Sequence, residues 1–122
     1  MALGTTTLAA TLGGKVYTDT AVTNSVVAAA SGATTIYHVE FDNTANSAVT
    51  YLKFYESGSV TLGTTQPSLI VKAAASTKEY MSFPTGLSHA SALQYIATTT
   101  ASNASGSPSA PSNACPLTIL YS

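Results

Sequence analysis

The chain has no arginine, no tryptophan and a single cysteine, and only 7% of its 122 residues are charged. Each shortage excludes something. Neutralising a phosphate backbone takes clustered cations, and Lys15, Lys53, Lys72 and Lys78 are few and scattered, so no nucleic-acid partner is expected. The same scarcity argues against a polybasic membrane tether. With Cys115 alone, no intrachain disulfide can form, and stability has to come from a core or from oligomerisation. Cys115 therefore reads as a small buried side chain; His38 and His89 offer no recognisable cysteine-enzyme context. Lacking Trp, the chain has no conventional platform for stacking sugars, and Tyr51 and Tyr55 are the remaining candidates. No run approaches the length of a membrane span, and Met1 to Ala10 lacks the basic region of a signal peptide, so neither membrane insertion nor secretion by that route is expected.

What remains is a chain that is 45% hydrophobic with a net charge of -1. Its length suits one domain with one core. A surface so poor in charge must be wetted by Ser and Thr hydroxyls, which shed water more cheaply than ions do. Such a surface favours a component that lies against other subunits.

Along the chain, residues 1–14 read as a Thr- and Ala-rich arm closed by Gly13 and Gly14, either disordered or laid across a neighbour, with Leu3, Leu8 and Leu12 as its sizeable apolar groups. Residues 15–122 form the domain. Strands are predicted over 15–20, 22–29, 34–42, 49–56, 68–73, 77–83, 93–99 and 117–121, from alternating apolar residues and branched or aromatic runs. In the third of these, Tyr37, Val39 and Phe41 are predicted to face the core, with Ile36, His38, Glu40 and Asp42 on the other side. In the fourth, Leu52 and Phe54 form the core face, leaving Tyr51, Lys53 and Tyr55 as a possible contact face. Gly63 to Pro67 and Phe83 to Leu87 are turn signals. About eight short antiparallel strands predict an all-β fold: a single sandwich of jelly-roll or Greek-key type with an N-terminal arm. Residues 100–116, rich in Ser, Ala, Pro and Asn, read as a flexible excursion in a free subunit and as an ordered arm in an assembly, with Pro108 and Pro111 as contact candidates.

Chemistry is hard to find. His38, Glu40 and Asp42 share a strand face with ligand-type side chains, but their spacing of about 7 Å per step prevents one ion from reaching all three. Asp19, Glu40, Asp42, Glu56 and Glu79 include no pair in a glycosidase context. Ser88 and His89 are adjacent only in sequence, which is not triad geometry. Gly13-Gly14 and Gly58 lack the pattern of a phosphate loop, and Asn103-Ala104-Ser105 is a short, frequent sequon. No catalytic residue, cofactor or metal is assigned, and the protein is not expected to be an enzyme.

The span from Asn43 to Leu87 resembles a recurrent segment of small β-sandwich structural proteins of tailed bacteriophages. The likeness rests on the Asn43-Thr44 turn, the strand Tyr51-Leu52-Lys53-Phe54-Tyr55-Glu56, the turn Gly63 to Pro67 and the turn Phe83 to Leu87; Phe54-Tyr55-Glu56 departs from the more usual Leu-Tyr-Asp. The resemblance implies a capsid cement or decoration protein on the outer surface of the virion. Such a protein binds the major capsid protein across neighbouring capsomers and associates with itself as a dimer or trimer. The alternative is a fibre, tail or receptor-binding module that recognises a host surface glycan.

Overall fold

The computed structural model describes residues 14–122, and every element in that span is a strand or a connection. The strands are β1 (Lys15–Val22), β2 (Val27–Ala30), β3 (Thr34–Asp42), β4 (Thr50–Tyr55), β5 (Leu69–Ala73), β6 (Lys78–His89), β7 (Leu93–Thr98) and β8 (Cys115–Tyr121). They form two four-stranded antiparallel sheets, ordered β1-β8-β3-β6 and β2-β7-β4-β5. Only the β4–β5 connection stays within a sheet; every other one crosses the sandwich, which is the jelly-roll arrangement. The all-β sandwich expected from the strand grammar is the fold found.

The period-2 pattern explains the packing. Val39 and Phe41 from β3, Leu52 and Phe54 from β4, Leu93 and Tyr95 from β7, and Leu117 and Ile119 from β8 meet in one core between the sheets. Tyr95 packs edge-on to Phe54 and Tyr17 at centroid distances of 6.4 and 5.8 Å, a geometry that sets ring edges against π faces. The Tyr95 hydroxyl donates to Asp19 Oδ2 at 2.6 Å and lies 2.7 Å from the Tyr17 hydroxyl, tying β7 of one sheet to β1 of the other. Burial and these two partners hold the Tyr95 phenol well above the usual tyrosine range.

Several sequence expectations need correction. The register shifts between Ile36 and His38 against both neighbours of β3, and this bulge turns Ile36 into the core; Tyr37, expected there, is only partly buried. The Phe83 to Leu87 signal does not end a strand. β6 runs through it, with Phe83, Pro84, Thr85 and Gly86 looped out opposite the single Tyr37. Gly86 is required there: its φ is +84°, and a Cβ would strike the Thr35 and Tyr37 side chains. The second predicted strand is shorter than expected, because β1 continues to Val22 and a turn precedes β2.

A buried amide hub holds the loops at one end of the sandwich. Asn43 is 0% exposed and donates from Nδ2 to the carbonyls of Ala48, Ala73 and Ala74. Its Oδ1 accepts from Asn46, whose amide also donates to the Asn113 carbonyl and accepts from the Asn113 N–H. The Asn46 carbonyl in turn accepts from Ser76, which sits at φ 57°. Three loops distant in sequence are locked to one another by two side chains.

Candidate functional site

Each sheet has an outer face, and the two differ. On the β2-β7-β4-β5 sheet, Lys53 and Tyr55 of β4 alternate with the core residues and pair with Ile96 and Gln94 of β7. This face was expected to be free for a partner, and the structure corrects that reading. Lys53 is 2% exposed, and Tyr55, Ile96 and Thr98 are buried with it. The cover is the chain's own 99–114 segment. Lys53 Nζ donates to the Ser102 carbonyl at 2.7 Å, and the Tyr55 hydroxyl reaches Asn103 Oδ1 at 3.4 Å. The segment is pinned further by Asn103 to the Thr65 carbonyl, Asn24 to the Pro108 carbonyl, and Thr99 N–H to the Ser109 carbonyl. Gly63 makes room for it: φ is +84°, and a Cβ would lie 3.0 Å from the Gly106 nitrogen. The loop expected to be a flexible excursion is thus ordered by the domain it belongs to.

Burial has an electrostatic cost. Desolvation lowers the Lys53 pKa and raises that of the Tyr55 phenol. Of the other contact candidates, Pro111 is buried, Pro108 and Tyr51 are partly exposed, and Leu3, Leu8 and Leu12 lie outside the described residues.

No described segment is laid over the outer face of the β1-β8-β3-β6 sheet, although Leu120 at its centre is only 3% exposed among its neighbours. Its rows run Val16, Leu120, His38, Ser82 and then Thr18, Thr118, Glu40, Tyr80. Tyr80 is 57% exposed and Val16 40%. The His38 and Tyr80 rings lie 6.3 Å apart, and His38 Nδ1 is 2.9 Å from Ser82 Oγ. The face is hydroxylic and aromatic, with its charges grouped at one side. There Lys78 lies 3.1 Å from Glu40 and 4.0 Å from Asp42. Hydrogen bonds from the Thr44 hydroxyl and N–H hold the Asp42 carboxyl below its usual range, and the hydrogen bond to Glu40 raises Lys78. His38, Glu40 and Asp42 therefore have protein partners, and no metal-binding cluster of three occurs among the described residues.

One pairing escaped sequence reading because its members are 21 residues apart: Ser68 Oγ lies 2.7 Å from His89 Nε2. It resembles a nucleophile with its base, but the proton points the wrong way. Ser68 spends its hydroxyl hydrogen on the Phe54 carbonyl at 3.1 Å, so Nε2–H is the donor to Ser68. The opposite arrangement would strand an N–H on the buried His89 Nδ1, which has no partner. Activation of a serine requires that opposite arrangement. Cys115 is buried as expected; desolvation foremost, with Asp42 nearby, pushes its thiol up to about 11, far from a reactive thiolate.

No protein-family model matches the chain, and no curated protein matches it. Among solved structures, it is similar to a chain in the structure of infectious bursal disease virus Gx strain, at 13% sequence identity and a TM-score of 0.31. The match covers 88% of this chain and 32% of the viral one, so this chain spans just under a third of that protein's length. A likeness at that level bears on neither activity nor partners.

Proposed function

We propose that the chain is a virion structural protein, and more narrowly a capsid cement or decoration protein of a tailed bacteriophage, seated on the outer surface of the head. The observation that carries this reading is the inequality of the two sheet faces. One is covered over β4 and β7 by the chain's own 99–114 segment through Lys53 and Tyr55, with Ile70 at its β5 margin left 39% exposed. The other presents Val16, Thr18, His38, Tyr80 and Thr118. A fold alone does not specify a function, and the resemblance of Asn43 to Leu87 to small structural proteins of tailed bacteriophages, cement and decoration proteins among them, supports the narrower reading.

Cementing needs contact area and copy number and no active site. Packaged DNA pushes a thin shell outward, and a subunit bridging two capsomers adds contacts that must break before the shell opens. A standard interface of about 1,600 Å² holds such a subunit firmly, and an oligomer spanning several capsomers gains further because its later contacts are intramolecular. Hydroxyl-rich surfaces suit this use, since they avoid the cost of burying unpaired ions. Quantitative gel analysis of purified virions tests the proposal. A copy number close to that of the major capsid protein is expected; a few copies per particle would overturn it in favour of a fibre, tail or receptor-binding role.

A further inference from the structure

We propose that β1 is a homodimer seam: the open edges of two copies pair antiparallel about a two-fold axis through Tyr17, joining the two β1-β8-β3-β6 sheets into one eight-stranded sheet. This deepens the proposed function by specifying how the subunit associates with itself.

The sandwich has four edge strands, β1, β6, β2 and β5. Exposed edges invite pairing with other chains, and proteins usually blunt them with short strands, proline, bulges or charge. β2 has four residues and β5 has five with the exposed Lys72 among them. β6 carries Pro84 and the looped-out stretch ending at Gly86. β1 has an exposed Lys15 and a register shift after Asp19, but its charge is matched within its own run by Asp19. From Lys15 to Asp19 it pairs in unbroken register with β8, no described strand pairs with its other side, and it contains neither Pro nor Gly. Beyond Asp19 the register shifts, so the regular run is the five residues whose midpoint is Tyr17.

The sequence of that run identifies the occupant as a second copy. An antiparallel pair centred on Tyr17 sets Lys15 opposite Asp19 of the other copy, twice by symmetry, on the face shared with Tyr17. On the outer face it sets the exposed Val16 opposite Thr18, also twice. Shifting the centre by one residue in either direction loses both ion pairs and cuts the overlap of the five-residue regular run to three residues. Opposite charges and branched side chains directly across a strand pair are favourable, and like charges are not. The midpoint of the regular run and the point of charge self-complementarity coincide at Tyr17. An isologous contact of this kind closes as a dimer and does not propagate.

Sedimentation velocity over a range of concentrations tests this, with variants at exposed positions that leave the core untouched. The wild-type chain is expected to dimerise. Val16→Lys with Thr18→Lys places Lys opposite Lys at both outer pairs and should weaken dimerisation by about tenfold or more, with the circular dichroism of the folded chain unchanged. Val16→Cys with Thr18→Cys should cross-link into a covalent dimer on oxidation, because the two positions face each other between copies. Wild-type protein that stays monomeric, a dimer indifferent to the double lysine variant, or a cysteine pair that fails to cross-link would each overturn the seam. These outcomes are separable from the cement proposal: a monomer present at high copy number on virions would sink the seam alone, and a β1-paired dimer absent from heads would sink the cement reading alone.

Discussion

Asn43 and Asn46 show how much a single polar residue can matter. In the sequence they belong to a turn and look like surface residues, as Asn in turns usually is. In the structure they are buried, and their amides satisfy carbonyls from three loops. Removing one would strand buried partners, which costs more than the bond itself contributes. Asn46→Ala is expected to lower stability by about 3 kcal/mol, read from urea unfolding; a loss within experimental error would show that water replaces the amide. Tyr95→Phe removes the hydroxyl that links the sheets through Asp19 and Tyr17 while keeping the ring. It should cost about 2 kcal/mol, as expected for a hydrogen bond to a carboxylate, in the same assay, and leave the far-ultraviolet dichroism intact.

At the scale of elements, β4 and the 99–114 segment determine each other's environment. Alternation alone predicted the core side of β4, with Leu52 and Phe54, and the structure has them there. The opposite side was beyond alternation, because what covers it comes from about 50 residues downstream. Lys53 lies under that cover with a lowered pKa, so the folded state releases its proton more readily than the unfolded state does. Between the lowered value and the ordinary 10.5, unfolding takes up a proton, and Lys53 makes stability rise with pH. Below that window its buried charge opposes folding. Lys53→Met is accordingly expected to be more stable than wild type at pH 7 by about 1 kcal/mol, with the advantage shrinking as pH approaches 10.5. Urea titrations of both proteins across that range check the sign. Comparing the two proteins cancels the opposing effect of Tyr55 and Tyr95, whose raised pKa values reduce stability above the ordinary tyrosine value of 10.0.

At the scale of the whole molecule, the described residues of the jelly roll lay the 99–114 segment over one sheet and no segment over the other. The second sheet has β3 and β8 at its centre and β1 at one edge. The paired charges of Lys78, Glu40 and Asp42 lie in the open, where solvent screening leaves ion pairs little weight in stability. Their effect belongs to what can approach that face, since an arriving surface must desolvate or match them.

The sequence by itself determined the fold class, the approximate strand boundaries, the core side of β4 and the burial of Cys115, because these follow from side-chain alternation, turn residues and composition, which are local. It also determined that no clustered cations and no disulfide were available. Tertiary structure decided the rest: the bulge that sends Ile36 inward and Tyr37 out, the passage of β6 through a proline-containing signal, the hub at Asn43 and Asn46, the Ser68–His89 pair, and which sheet the 99–114 segment covers. Each depends on where a distant segment comes to lie. Alternation assigns a residue to one side of a strand, but what covers that side is set by chain segments that neighbour it only after folding.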